Sequence, residues 1–229
     1  MTTLLGHLET HGKKHCILMF SGGRDSSLAA VRLHEEGYEL TLLTVASDHL
    51  TGVQAVKRRL HELKHHLPSP TKWLLIKQPK ELLTDVSFYE QTCLPCHHAY
   101  VVIASALAVS LRARFLAFGY VGYQNGWPEQ TPLATARLGS LLAKYGTELL
   151  LPVYDLGSKE AVLRKLAEAG LSTESLEQKC SRQVTNVELS QEVLEQQISL
   201  WEGAIEHSIK QLGAIHIAEL EKSTLGEIA

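Results

Sequence analysis

Residues 16–37 read CILMFSGGRDSSLAAVRLHEEG, and three segments succeed one another within them. CILMF (16–20) is apolar without alternation, the pattern of a strand buried on both faces. From Asp25 to Glu36 the pattern becomes helical, with Leu28, Ala29, Val31 and Leu33 segregating from Arg32 and Glu36, and Gly37 is placed to end the helix. Between them lies SGGRDS (21–26), a strand-to-helix turn with two adjacent glycines. Gly22 and Gly23 permit positive φ and close backbone approach. Successive N–H groups at such a turn form an anion nest at a helix N-terminus, where the helix dipole adds to them. Ser21 and Ser26 add hydroxyls. Asp25 can cap the helix or help hold a metal ion bound to phosphate. The spacing is neither GxxxxGK[ST] nor GxGxxG.

The same alternation continues downstream. ELTLLTVAS (39–47) reads as a second strand, 52–67 as a helix, KWLLIKQ (72–78) as a third strand and 79–90 as a helix. A very apolar helix is predicted over 98–113, then a strand RFLAFGY (114–120), a helix near 132–145, a fifth strand within ELLLPVYDL (148–156) and a helix ending at Gly170. The tail, 187–213, reads as one long amphipathic helix. Strands alternating with helices predict an α/β fold: a five-stranded parallel sheet flanked by helices, with a C-terminal helical tail. The expected division is 1–182 for the sheet domain and 183–229 for the extension. Ligands of such sheets bind beyond the carboxyl ends of the strands, which places residues 21–26, 47–51, 120–130 and 153–159 on the ligand side.

The chain has 229 residues, 45% hydrophobic, with 22 basic and 25 acidic side chains and a net charge of −3. That balance describes a soluble globular domain and does not advertise nucleic-acid binding. Lys57, Arg58, Arg59 and Lys64 form a modest local basic patch. No run approaches the length of an apolar membrane span. MTTLLGHLETHGKKHC lacks the organisation of a secretory leader, so a cytoplasmic location without membrane contact is expected. Four cysteines in a reducing compartment do not form a disulfide framework.

At SGGRDS the chain resembles the PP-loop ATP pyrophosphatase superfamily, whose SGGxDS signature follows the first strand. The resemblance implies a sheet of the adenine-nucleotide alpha hydrolase type. It also implies ATP with Mg²⁺ as cofactors and an enzyme that adenylates its substrate, releases pyrophosphate and lets a nucleophile displace AMP. It assigns Ser21, Gly22, Gly23, Arg24, Asp25 and Ser26 to the nucleotide, with Asp25 in the chemistry. Thr44 at the end of the second strand, Gly119 at the end of the fourth and Lys159 after the fifth are the further expected ATP contacts.

CLPC (93–96) precedes the apolar helix, and Cys180 stands alone in EQKCSRQ. Two thiolates at CxxC spacing can chelate a metal, form a redox pair or bind a cluster. Cys16, inside the first strand, reads as a buried structural thiol. The Cys93, Cys96 and Cys180 set resembles that of tRNA thiolation enzymes in the superfamily, which implies a [4Fe-4S] cluster carrying sulfur to an activated base. Persulfide chemistry at Cys96 or Cys180 is the alternative there, and His97 or His98 as a fourth ligand would make a Zn²⁺ site. AFGYVGYQNGWPEQ and LLLPVYDLGSKEAV also resemble 7-cyano-7-deazaguanine synthase, without that enzyme's aspartate-rich and Pro-Asp-Cys-Arg elements or its C-terminal zinc cysteines.

The loop 120–130 is rich in rings. Tyr120, Tyr123 and Trp127 can stack a base, Glu129 can act as an acid or a metal ligand, and Arg182 can meet a phosphate. The resemblance to the tRNA thiolation enzymes implies a tRNA nucleobase as the favoured acceptor, with sulfur as nucleophile. A small-molecule nucleobase with ammonia and a non-catalytic nucleotide sensor remain open. The C-terminal helix is free to dimerise two copies or to cover the sheet.

Overall fold

The computed structural model describes residues 14–82, 92–182 and 188–228. In chain order the elements are β1 (Lys14–Met19), α1 (Arg24–Glu35), β2 (Tyr38–Ala46), β3 (Leu50–Thr51), α2 (Val53–Leu63) and β4 (Lys72–Lys77). There follow α3 (Leu94–Leu111), β5 (Phe115–Phe118), α4 (Pro132–Lys144), β6 (Glu148–Leu150), α5 (Lys159–Glu168), β7 (Lys179–Cys180), α6 (Gln191–Lys210) and β8 (Ala218–Thr224). The predicted helix over 79–90 shows a short 3₁₀ turn at Lys80–Leu82, and its remainder lies outside the described residues. So does the N-terminal segment on which the absence of a leader was read.

The main sheet has the order β6-β5-β1-β2-β4-β8. The five strands expected from the sequence run parallel. β1, β2, β4 and β5 are buried on both faces and their side chains alternate between two cores, whereas the edge strand β6 is exposed at Glu148 and half-buried at Leu149 and Leu150. Ile17, Leu43, Val45, Leu74, Ile76, Leu116 and Phe118 point to the side covered by α3, α4 and α6. Cys16, Leu18, Phe20, Leu42, Trp73, Leu75 and Ala117 point to the side covered by α1, α2 and α5. The period of two is that of a pleated strand, and unbroken apolarity follows because neither face meets water.

The tail departs from the sequence reading. Among the described residues of the tail the α-helix covers Gln191–Lys210, followed by a 3₁₀ turn at Leu212–Ala214. The helix is capped by the Ser190 hydroxyl, which accepts from the Val193 N–H. Its buried positions Gln197, Ile198, Trp201, Ile205 and Ile209 form one stripe that packs on α3 and α4. The chain then forms β8, a sixth strand antiparallel to β4, with a bulge opposite Leu75/Ile76. AELEKST carries three charges in seven residues, a composition usual for an edge strand and poor evidence for a strand from sequence.

α3 is, among the described residues, the one helix long and apolar enough to cross a membrane by length and composition. Here it is the central core helix, packed against β1 and β5 on one side and α6 on the other. Helices buried all round lose their amphipathic stripe for this reason.

Candidate active site at the strand ends

The turn between β1 and α1 is fixed by backbone packing. Gly22 has φ +79°, and a methyl group there would lie 2.8 Å from the Leu176 carbonyl oxygen and 3.0 Å from the Val56 Cα. Gly119, just past β5, lies against the first turn of α1: a methyl group there would be 2.7 Å from Ser26 N and 2.8 Å from Ser26 Cα. Gly119 thus lets β5 and α1 meet. Ser21 Oγ accepts from the Gly23 N–H at 3.1 Å and lies 3.1 Å from Ser26 Oγ. Ser27 Oγ donates to the Gly23 carbonyl at 2.5 Å.

Gly23 is the N-cap of α1 and no side chain caps this helix, whereas hydroxyls cap α4, α5 and α6. Asp25 therefore does not cap α1. It lies inside the first turn, where the Tyr123 hydroxyl donates to both its oxygens at 3.4 Å. Burial, with the nearby Glu177 carboxylate adding to it, pushes Asp25 up to about 6.

A cavity of about 280 Å³ opens here, beyond the carboxyl ends of β1, β2 and β5. Ser21, Gly23, Asp25 and Ser26 line one end. His97, Tyr100, Phe118 and Tyr120 line the other. Phe118 and Tyr120 stack with ring centres 4.8 Å apart, and His97 Nδ1 is 2.6 Å from the Tyr120 hydroxyl. Gln124 and Gln130 join the two ends. Gln130 Nε2 donates to Gln124 Oε1 at 3.0 Å, and Gln130 Oε1 accepts from the Val121 N–H at 3.1 Å. Glu177 and Gln178 close one side.

Behind the aromatic end lie the thiols. Cys93 is the N-cap of α3 and Cys96 sits in its first turn. Cys180 lies in the two-stranded β3·β7 ladder, opposite Leu50. Cys96 Sγ is 3.4 Å from His49 Nε2. Burial pushes Cys93 up to about 12, with Glu129 and the other two thiols adding to it. Burial and Cys180 push Cys96 up to about 11, against the opposing pull of Arg182. Glu129 is 2% exposed, with Oε1 3.7 Å from His97 Nε2 and Oε2 lacking a hydrogen-bond partner. Burial raises it to about 7, and burial drives His97 down to about 3, so both stand neutral between about pH 3 and pH 7.

The structure thus gathers Ser21, Gly23, Asp25, Ser26 and Tyr120 around one cavity, with Tyr123 on Asp25 and Gly119 packed under the turn. Cys93, Cys96, Cys180, Glu129 and Arg182 lie within electrostatic reach of one another. No group of three His, Cys, Asp or Glu among the described residues is arranged to hold a metal ion, so the thiols as positioned do not fit a cluster or a zinc ion.

Other expected contacts lie elsewhere. Thr44 is buried in β2, where its Oγ1 donates to the Phe20 carbonyl at 2.7 Å and accepts from Trp73 Nε1 at 2.9 Å. Arg24 donates to the Thr173 carbonyl at 2.8 Å. Lys159 is exposed at the start of α5, and Trp127 is half-buried outside the cavity lining.

Sequence reasoning missed His49, Glu177 and Gln178, which sit in segments without motif or periodicity. His97, offered from the sequence as a fourth metal ligand, is half-buried and hydrogen-bonded to the Tyr120 hydroxyl. His98, offered in the same role, is buried against α6 with Nε2 2.9 Å from Ser208 Oγ.

The basic patch is a further correction. Arg59 is completely buried. Its guanidinium donates to the carbonyls of Gly22 (3.4 Å), Ser172 (2.9 Å) and Glu174 (2.5 Å) and pairs with Glu62. Lys57 pairs with Glu221 and Arg58 with Glu174, and Lys64 donates to the Ile228 carbonyl.

No protein-family model matches the chain, and no curated protein matches it in sequence. Among solved structures, a 4-thiouridine synthetase in complex with RNA and bound ATP is similar in fold, with 18% identity and a TM-score of 0.61 over 91% of this chain and 55% of that one. The chain thus spans little more than half the length of that protein. The U34-tRNA thiolase NcsA from Methanococcus maripaludis, with its [4Fe-4S] cluster, is 15% identical, with a TM-score of 0.52 over 88% of this chain and 72% of that one. At such identities the likeness is one of fold. The fold is that of the adenine-nucleotide alpha hydrolase type, and it agrees with the PP-loop resemblance carried by SGGRDS.

Proposed function

We propose that this chain is an ATP-dependent adenylating enzyme that releases pyrophosphate and transfers sulfur to a tRNA nucleobase. One observation carries the reading: a single cavity joins two unlike ends. Its first end offers the uncapped N-terminus of α1 with the Ser21 and Ser26 hydroxyls, a set of donors suited to phosphate oxygens. Its second end offers the stacked rings of Phe118 and Tyr120, on which a base can lie, beside His97, the chain neighbour of Cys96 in α3. The 4-thiouridine synthetase and the thiolase share this fold, and their RNA, ATP and cluster accord with the reading.

When bound, ATP supplies an electrophilic α-phosphate. The chain's own contribution is to hold the polyphosphate on fixed backbone donors, which stabilise the charge that grows on the leaving pyrophosphate without reorganising. Asp25 is assigned to the magnesium ion that accompanies the nucleotide. Tyr120, held by His97, orients the acceptor base. Cys96 carries sulfur as a persulfide charged by an external persulfide donor, and its outer sulfur attacks the adenylated carbon and displaces AMP. Cys180 then forms a disulfide with Cys96 to release the thiolated base, a disulfide that an external thiol reductant reopens. No step is routed through a cluster or zinc, because the thiols do not form a ligand set as they stand. Residues 1–182 are assigned the chemistry and 183–229 are assigned to an extension, of which β8 adds the sixth strand to the sheet.

The test is pyrophosphate release from ATP that depends on added tRNA, with thiolated nucleoside as product. Cys93→Ala and Cys180→Ala variants that retain full thiolation would take these cysteines out of the sulfur chemistry, and tRNA-dependent pyrophosphate release without any thiolated nucleoside would remove sulfur from the reading. A second reading, a small nucleobase acceptor with ammonia as nucleophile, is favoured by the engagement of Lys57, Arg58, Arg59 and Lys64 within the fold. Failure of tRNA to bind at low salt, where phosphate contacts are strongest, would select it.

A further inference from the structure

The segment 171–182 runs over the glycine turn as a strap. Its first part is clamped: Arg59 holds the carbonyls of Ser172 and Glu174 together with that of Gly22, and Arg24 holds that of Thr173. Its middle rests on the turn. The Leu176 carbonyl is 2.8 Å from where a Gly22 methyl group would be, and Glu177 Oε2 is 2.5 Å from where a Gly23 methyl group would be. Its last part carries Cys180, held by the two-residue pairing with β3 and by the Ser181 N–H to the His49 carbonyl at 2.8 Å. Gln178, between these parts, has a buried Nε2 without a hydrogen-bond partner.

The cavity lining contains two carboxylates, Asp25 and Glu177, and no lysine or arginine. A carboxylate oxygen thus rests against the turn that presents the free N–H groups of α1, and the Ser175 hydroxyl donates to the other oxygen at 2.6 Å. Phosphate oxygens and this carboxylate compete for the same ground, and their like charges repel at short range.

We propose that Glu177 is an internal occupant of the phosphate cradle, and that its expulsion by nucleotide lifts the strap and frees Cys180, three residues on, from its pairing with β3. The thiol is then released only when the nucleotide is bound. The root of the strap stays fixed on Arg59, so displacement at Glu177 passes towards β7 rather than back into α2. This proposal rests on reading the turn as the phosphate site of ATP.

The experiment uses the full chain with a non-hydrolysable ATP analogue and Mg²⁺. It measures nucleotide affinity by calorimetry and alkylation at Cys180 by site-resolved mass spectrometry. In the wild type the analogue should accelerate Cys180 alkylation several-fold. Glu177→Gln and Glu177→Ala should bind the analogue about tenfold more tightly, alkylate rapidly without it, and change little when it is added. Weaker binding by both variants would make Glu177 a nucleotide ligand and overturn the proposal. Binding with unchanged wild-type Cys180 alkylation would overturn the coupling and leave the proposed activity standing. Binding by none of the three proteins would remove the functional reading itself, and the proposal with it.

Discussion

The two ends of the cavity are built on opposite terms. At the turn, backbone meets backbone: Gly22 under Leu176, Gly119 against Ser26, and Arg59 tying three carbonyls together. That end completes itself. At the thiol end, Glu129 keeps one buried oxygen without a partner and Cys93 and Cys96 are held as neutral thiols. A buried polar atom without a partner is costly, so the turn is stabilised by its own contacts while the thiol end carries a desolvation cost.

The largest blow to this contrast comes from Arg59. Arg59→Met leaves Glu62 and three carbonyls without their donor, and should cost about 3–5 kcal/mol of stability by denaturant titration. A cost under 1 kcal/mol would mean that the turn does not depend on the clamp. Next is Gly119→Ala, which forces a methyl group against the α1 backbone and should cost about 1–3 kcal/mol. Pyrophosphate release should fall with it, and unchanged kinetics would detach β5 from the nucleotide site.

The thiol end should respond in the opposite direction. Glu129 rises from 4.5 when unfolded to about 7 when folded, so the native state holds a proton that the unfolded chain has lost. Stability from this group is fully present below pH 4.5 and is lost as pH rises through 7. Glu129→Gln should therefore melt later than the wild type above pH 7, by on the order of 3 kcal/mol, with no difference below pH 4.5. A pH-independent difference between the two would show that the carboxylate is charged and paired. The smallest effect is expected at Arg58, whose exposed pair with Glu174 spans 3.7 Å. Arg58→Ala should shift stability by less than about 0.5 kcal/mol, a foil for its neighbour Arg59.

These two ends were unequally legible in the sequence. Strand, double glycine and helix follow in order along 16–37, so the turn and the parallel sheet could be read locally. Cys93, Cys96 and Cys180 were visible as residue types, but their common neighbourhood depends on the strap, which has no periodicity. Arg59 shows the limit well. In the string it is one of two adjacent arginines on a helix, and only packing distinguishes the buried clamp from the solvated neighbour. Thr44 failed for a similar reason: position at a strand end does not reveal that its hydroxyl is spent on Phe20 and Trp73. β8 was missed because alternating charge on an edge strand reads as an ordinary solvated tail.

That last strand has a consequence for the order of manufacture. β4 lies at residues 72–77 and its outer partner at 218–224, so the pairing closes across most of the chain. Contacts of such separation form late and slowly. Until Ala218 leaves the ribosome, the growing chain carries β4, with Trp73, Leu74, Leu75 and Ile76, as a bare edge able to pair with a neighbouring nascent chain. Translation stalled before that point should leave aggregates, and supplying 218–224 in trans as a peptide should suppress them.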